Sequence, residues 1–343
     1  MRAGIVGPGW VGRVHAHALR ELGVEIAAVC GRTQESAAAL AAEYGGSAWS
    51  DLDEMLRAVE LDVLHVCTPN HLHAPQSVLA LEHGLHVVCE KPLAMSADES
   101  ARMVAAAQGR IGAVAHHVRG YPLVDHMRRQ IADGSLGEMH VVHGRYLNDE
   151  ALFPGDHWRF DPARSGPSYA MGDLGVHLVD TIEHVTGLRI AEVFAELRSF
   201  REGLALDDTA AVLLRFEGGA VGSLLVGGTA PGRKNQLLFE CEGSRGGFTW
   251  DQEQPELLLE RPVESGPRHV WKSGELARFP PGHGEGYGDA FRNILGEAYR
   301  AMRGEPHASF ATFADGHRGM QILEAIVESA RTGRWVAPRW LMP

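Results

Sequence analysis

Glu90, Lys91 and Pro92 follow directly on Val87-Val88-Cys89, so an apolar run ends by presenting a carboxylate, an amine and a ring-locked backbone in succession. A lysine at the end of a buried run can be desolvated or paired. Its proton affinity then becomes adjustable, which suits a group that holds charge or helps move a proton. A solvent-facing Glu/Lys pair at an ordinary strand-to-turn junction would use the same residues, so their meaning depends on what else reaches them. A second polar group lies in Gly172-Asp173-Leu174-Gly175-Val176-His177-Leu178-Val179-Asp180, where Asp173, His177 and Asp180 stand at i, i+4 and i+7. On a regular α-helix these three share a face, which sets a carboxylate one turn from an imidazole. Such an acid orients the ring and raises its basicity toward a substrate hydroxyl. An aspartate serving a helix dipole and a histidine packed on a sheet would leave the same pattern. The spacing is a weak metal-ligand pattern and no metal is expected.

The third chemical signal is Gly7-Pro8-Gly9-Trp10-Val11-Gly12, between the apolar Ala3-Gly4-Ile5-Val6 and a stretch of helical spacing from His15 to Leu22. Gly7 suits a tight turn, Gly9 a close approach of backbone N–H groups to a pyrophosphate, and Gly12 close packing of helix on strand. Phosphate placed there meets the positive end of the helix, so a dinucleotide is the expected ligand, with Trp10 and Val11 in its cradle. The strand Glu25–Cys30 should deliver the residue that meets the adenosine ribose. An acid there would accept both ribose hydroxyls and repel a 2′-phosphate, but the chain offers Gly31-Arg32-Thr33. Arg32 and Thr33 therefore favour NADP(H), with NAD(H) the alternative. Thr68, Asn70 and His73 follow the apolar run Val63–Cys67, where Pro69 halts the ladder, and their polar groups suit the cofactor's ribose or phosphate. Asn70 also suits an N-cap for a helix from Leu72 to Glu82.

The elements that must position these residues alternate strand and helix up to Ala115, as a doubly wound parallel sheet requires. After a helix from Tyr121 to Ala132 the pattern changes to strands over 139–145, 191–200, 209–216, 220–227, 236–241, 243–250 and 256–259. Glu217-Gly218-Gly219 joins two of them as a hairpin. Residues 260–282 read as a Pro- and Gly-rich loop, and helices are expected over 287–303 and 315–332. The fold class is thus α/β, with an N-terminal Rossmann dinucleotide-binding domain over 1–118. An α+β domain for substrate binding and oligomerisation follows over 119–343, built on a large, mostly antiparallel open sheet. Helices cover one side of that sheet, so its other side is expected to be hidden by self-association.

A length of 343 residues suits two domains, and a formal charge of −12 without a Lys/Arg-rich block excludes nucleic acid as the main partner. No apolar run reaches membrane-spanning length and no secretory leader is visible, so the cytoplasm is expected. Cys30, Cys67, Cys89 and Cys241 are widely spaced inside apolar runs, as buried thiols in a reducing compartment would be.

Taken in order, the glycine motif, Thr68-Pro69-Asn70-x-x-His73, Glu90-Lys91-Pro92, Gly172-Asp173-x-Gly175-x-His177-x-x-Asp180 and Ala314-Asp315-Gly316 resemble the Gfo/Idh/MocA family of NAD(P)-dependent oxidoreductases along the whole chain. The resemblance implies a homodimer or homotetramer and hydride transfer at a hydroxyl or carbonyl carbon of a sugar, inositol or related polyol. It implies that Lys91 contacts the nicotinamide-side ribose and the substrate hydroxyl. Pro92 shapes the turn beneath, through a cis bond in some arrangements, and Glu90 orients Lys91 beside the cofactor. It makes His177 the catalytic base, Asp173 a substrate ligand and Asp180 a support for the helix. Arg119-Gly120-Tyr121-Pro122 matches a further family pattern. Arg119 joins His116, His117, Trp158, Arg159 and Tyr287 as polar or stacking walls for substrate. Two rival readings use the same residues: a cofactor-retaining glycosidase working by transient oxidation, and a non-catalytic dinucleotide sensor.

Overall fold

An apolar strand buried on both faces needs parallel neighbours and helices above and below it, and β1 (Arg2–Val6) is such a strand. In the computed structural model, which describes residues 1–153, 155 and 157–339, it is the centre of a parallel sheet. Alternation then runs α1 (Trp10–Glu21), β2 (Glu25–Cys30), α2 (Gln34–Tyr44), β3 (Ser47–Trp49), α3 (Leu52–Ala58), β4 (Val63–Val66), α4 (His73–Glu82), β5 (His86–Cys89), α5 (Ala97–Ala106) and β6 (Gly112–Val114). The strand order β3-β2-β1-β4-β5-β6 makes β1, β4 and β5 neighbours, so the turns that leave their C-terminal ends lie side by side.

The second unit continues with α6 (Pro122–Ala132), β7 (Met139–Leu147), the one-turn α7 (Pro162–Ser165), α8 (Val176–Thr186) and seven strands. These are β8 (Ile190–Arg198), β9 (Thr209–Phe216), β10 (Val221–Gly227), β11 (Gln236–Gly243), β12 (Gly246–Asp251), β13 (Leu257–Glu260) and β14 (Arg268–Trp271). They join β7 in one sheet of order β14-β13-β12-β11-β7-β10-β9-β8, antiparallel throughout except for the pair β7 and β10. β14 lies inside the stretch expected to be loop. Its four residues pair with β13 through backbone that the Pro/Gly composition of the flanks obscures.

Among the described residues, the first unit comprises Met1–His117 and Tyr287–Met320, and the second Val118–Gly286 and residues 321–339. A contiguous second domain over 119–343 misses the return of α9 (Tyr287–Met302), and of the start of α10 (Phe313–Thr332), to the first unit. The cause is apolar. Phe291, Ile294, Leu295, Ala298 and Tyr299 of α9 complete the core formed by β1, α1 and α2. On the other sheet face Leu64, Val66, Val87 and Cys89 pack with Met55, Ala80, Leu81 and Met103 from α3, α4 and α5.

In the second unit, burial alternates along β9, with Ala210, Val212, Leu214 and Phe216 inside and Ala211, Leu213 and Arg215 outside. No described helix is long and apolar enough to cross a membrane.

Candidate functional site

The three glycines of the first turn are explained by different neighbours. Gly7 has φ +94°, and a Cβ there would sit 2.5 Å from the carbonyl oxygen of Cys67. A Cβ on Gly12 would run into the carbonyl oxygen of Gly7. Both are therefore required by internal packing. Gly9 is different: it has ordinary extended backbone, φ −75°, and a Cβ would meet nothing within 4 Å. It is also the N-cap of α1 and supplies no side-chain cap, so backbone donors of the first turn face open space. A bare helix N-terminus whose approach is kept clear of side chains fits a pyrophosphate.

At the end of β2, a Cβ on Gly31 would lie 2.5 Å from Ser36 Oγ and 3.0 Å from Pro8 Cγ, so packing itself excludes an acidic side chain there. Arg32 is exposed. Thr33, expected on the phosphate side, spends its hydroxyl on capping α2, where Thr33 Oγ1 accepts from Ser36 N at 3.2 Å.

After β4, Asn70 is buried and opens a short 3₁₀ turn, Asn70–Leu72, so that α4 starts at His73 with Leu72 in the cap position, one residue later than the helix expected from Leu72. Thr68 Oγ1 donates to Gln76 Oε1 at 2.7 Å. His73 is buried and bridges two main-chain carbonyls, with Nδ1 2.8 Å from Pro92 O and Nε2 2.8 Å from Thr68 O. Burial lowers its pKa, against the pull of both carbonyls and of Glu90. His73 thereby ties the turn after β4 to the turn after β5.

That second turn is Glu90-Lys91-Pro92, and the Lys91–Pro92 bond is cis. Glu90 is buried and both its oxygens are engaged: Oε1 lies 3.0 Å from His15 Nε2, and Oε2 accepts from the Lys91 backbone N–H at 3.2 Å. Burial alone would raise its pKa. The hydrogen bond from His15, with the Lys91 charge nearby, overcomes that and holds the carboxyl below its ordinary value. Glu90 is thus an anion one residue from Lys91.

Trp10, Tyr287 and His117 form an aromatic run in the first unit. Trp10 is 66% exposed and stacks on Tyr287 at 5.7 Å. His117 lies 4.6 Å from Tyr287 and stacks on Phe291 at 5.6 Å, so α9 supplies a wall beside the glycine turn. His116 is buried next to it.

In the second unit Asp173 does not lie on regular α-helix. Residues Ala170–Gly175 form a π-helical turn that passes into α8, so the one-face α spacing of Asp173 and His177 is corrected: the wider turn shifts Asp173 out of strict i, i+4 register. The first side chain found on Asp173 is Arg159, whose Nε donates to Oδ1 at 3.2 Å. Arg159 also stacks its guanidinium 4.9 Å from the Trp158 ring. Its pKa is raised: burial opposes the charge, but Asp173 and Glu150 outweigh it. Neighbouring His157 is lowered by burial and by Arg159. His177 is buried in the first turn of α8, with the Tyr146 ring 5.7 Å away. Arg119 forms a buried two-pronged ion pair with Asp180, at 2.9 and 2.6 Å, and so anchors α8 one turn beyond His177.

Asp207 is a participant that sequence reasoning missed. Its Oδ2 accepts from Ser168 Oγ at 2.9 Å and from Ala170 N at 3.1 Å, and so caps the π turn that carries Asp173. Burial pushes its pKa up to about 6. Only the Asp207-Asp208-Thr209 turn into a strand hinted at it. Among the described residues no cluster of three metal-ligating side chains occurs.

Within the first unit, a clear helix N-terminus at the edge of a parallel sheet and a lysine on a neighbouring turn of that sheet are features of nicotinamide-dependent oxidoreductases, and the second unit by itself carries an Arg/Asp/His cluster. Residues 1–116 match the oxidoreductase family, NAD-binding Rossmann fold, and residues 124–249 match the GFO/IDH/MocA C-terminal domain. Levoglucosan dehydrogenase of Pseudarthrobacter phenanthrenivorans is 29% identical over 386 aligned residues, 98% of this chain and 97% of that one. A solved levoglucosan dehydrogenase in complex with NADH and levoglucosan has a TM-score of 0.94 at 28% identity, over 99% of this chain and 100% of that one. An oxidoreductase domain protein from Kribbella flavida is 31% identical with a TM-score of 0.91, over 98% of both chains. The chain belongs to the Gfo/Idh/MocA family. It is an NAD(P)-dependent oxidoreductase that moves a hydride to or from a CH–OH carbon of a sugar or polyol.

Proposed function

We propose that the protein is a sugar dehydrogenase for a pyranose or anhydro-sugar, with Lys91, Asp173 and His177 as its reacting side chains and NADP(H) as the preferred cofactor. The observation that carries the reading is the alignment of three turns on adjacent parallel strands: Gly7–Gly12 after β1, Thr68–His73 after β4 and Glu90–Pro92 after β5. Gly9, Trp10, Val11 and Gly12 would hold the pyrophosphate, with Thr68 and Asn70 toward the ribose. When bound, the nicotinamide supplies the hydride acceptor or donor. His177 accepts the hydroxyl proton in the oxidative direction and returns it in the reductive one. The Lys91 ammonium steadies the developing alkoxide, and Asp173, held by Arg159, fixes a substrate hydroxyl. Arg159 with Trp158, and His117 with Tyr287, supply wall contacts. Arg119 acts on the same site through Asp180.

The cofactor preference is supported by Gly31, where packing keeps an acid away from the 2′ position, and by the exposed cation of Arg32. Similarity to a levoglucosan dehydrogenase supports the substrate class. The four cysteines are buried free thiols, and burial pushes Cys30 up to about 11, which supports residence in a reducing cytoplasm. The exposed Leu213, Val221 and Leu225 on the outer face of β9 and β10 support self-association through that sheet, as a homodimer or homotetramer.

The test follows nicotinamide reduction with a panel of levoglucosan, glycosides, free sugars and inositols, each with NADP⁺ and NAD⁺. Turnover of a sugar with the NADP⁺ kcat/KM in excess is expected, and a preference for NAD⁺ would overturn the reading of Arg32. Lys91→Ala and His177→Ala should each lower kcat by about 10²-fold or more. Unchanged turnover in either would remove that residue from its role.

A further inference from the structure

Behind the Glu90–Lys91 turn the first unit buries a polar chain that hydride transfer itself does not require. Glu90 Oε1 lies 3.0 Å from His15 Nε2, His15 Nδ1 lies 2.8 Å from His65 Nδ1, and His65 Nε2 lies 2.9 Å from the Tyr299 hydroxyl. The four groups come from the turn after β5, from α1, from β4 and from α9. His15 and His65 have no exposed surface and Tyr299 has 1%. Polar groups placed this deep cost stability unless fully satisfied, so a chain of four is retained where its arrangement has a use.

The geometry fixes the direction of the protons. Glu90 is ionised and can only accept, so His15 carries a proton on Nε2. Burial holds His65 well below its ordinary pKa, so that ring is neutral and carries one proton. Burial and the Asp62 charge hold the Tyr299 phenol well above its ordinary value, so it keeps its proton. If His65 donated to Tyr299, the phenol proton would lack an acceptor in a site closed to water. The opposite order satisfies every group: Tyr299 O–H donates to His65 Nε2, His65 Nδ1–H donates to His15 Nδ1, and His15 Nε2–H donates to Glu90. The other Glu90 oxygen accepts the backbone N–H of Lys91.

We infer that His15, His65 and Tyr299 are positioning residues that act through Glu90, presenting Lys91 to the reacting hydroxyl at a set place and orientation. The inference rests on the catalytic role of Lys91 proposed above. A chain of donors that all point one way leaves Glu90 two fixed hydrogen bonds and no freedom to rotate. The lysine backbone is thereby held from within the core, and small displacements of a reacting group carry large rate penalties. Trp10, Arg32 and the other exposed cradle residues have no part in this chain, and Lys91 is the cofactor contact that it reaches, so cofactor affinity is expected to change less than kcat.

The experiment compares His65→Leu, Tyr299→Phe, Glu90→Gln and the double variant Glu90→Gln/His65→Leu with the parent and with Lys91→Ala. The readouts are kcat, sugar KM, cofactor Kd and melting temperature, together with isotope-labelled histidine NMR of the parent and of Tyr299→Phe. His65→Leu should lower kcat roughly tenfold with a much smaller change in cofactor Kd, and the double variant should be no slower than Glu90→Gln. In the parent, His15 should be protonated on Nε2 alone and His65 on Nδ1 alone. Tyr299→Phe, which keeps the ring and removes only the donor, should release the His65 tautomer and lower kcat several-fold. It carries the test if His65→Leu does not fold. Parent-like kcat in Tyr299→Phe, multiplied losses in the double variant, or an imidazolium at His15 would each overturn the inference. An active Lys91→Ala would instead overturn the site reading on which it rests.

Discussion

Gly9 and Gly12 are three residues apart in one turn, yet they are glycines for different reasons. A methyl group at Gly12 meets the Gly7 carbonyl, whereas one at Gly9 meets nothing and suits the backbone already present. The residue that the fold does not need as glycine is the one proposed above to meet the cofactor. Gly12→Ala should therefore lower the melting temperature by several degrees or prevent folding, because backbone cannot move aside cheaply. Gly9→Ala should melt at the parent's temperature or slightly above it, while its cofactor Kd, measured by titration, rises about tenfold or more. Equal affinity in Gly9→Ala and the parent would remove the phosphate from this turn.

At the scale of elements, the π turn before α8 is held at Ala170 by a carboxylate 37 residues further along the chain, Asp207. Its folded-state pKa is raised to about 6, mainly by burial, while the Ser168 and Ala170 hydrogen bonds pull it down. A raised carboxyl pKa means that the folded state binds the proton more tightly than the unfolded chain. The contribution is fully present below the unfolded value of about 4 and is lost as pH rises through about 6. Asp207→Asn keeps an acceptor for both donors and has no charge to bury. The variant should melt about 4 °C above the parent at pH 8 and by roughly half that at pH 5, when both are followed by calorimetry. A gap that does not change with pH would mean that Asp207 is not the titrating group.

For the molecule as a whole, the outer face of the second unit's sheet is the feature that a solitary chain explains least. Leu213 is 50% exposed and Leu225 45%, on adjacent strands paired in register, with Phe194 opposite Leu213 on β8. Apolar side chains aligned across several strands are stabilised when a second copy covers them. Leu213→Glu with Leu225→Glu should convert the assembly to monomers in light scattering, and the circular dichroism should be retained because neither side chain enters the core. A parent that is monomeric at micromolar concentration would refute association through this face.

Sequence alone determined the local parts: strand, glycine turn and helix at the N-terminus, the Glu-Lys-Pro turn, the antiparallel runs, and the family resemblance that assigns Lys91, Asp173 and His177. These are legible because glycine geometry, proline and hydrophobic period act over a few residues. Tertiary structure alone decided which groups touch. Asp173 was read on a regular α-helix with His177, whereas it lies in a π turn and takes a hydrogen bond from Arg159. Arg119 was read as a substrate wall, and it holds Asp180. His15, His65 and Tyr299 carry no mark in sequence, since His15 and His65 are 50 residues apart and His65 and Tyr299 are 234 apart. Strand pairing and the return of α9 to the first core bring them together. The physical reason is that local propensity writes a turn, whereas a buried hydrogen bond depends on which distant surfaces the chain closes against each other.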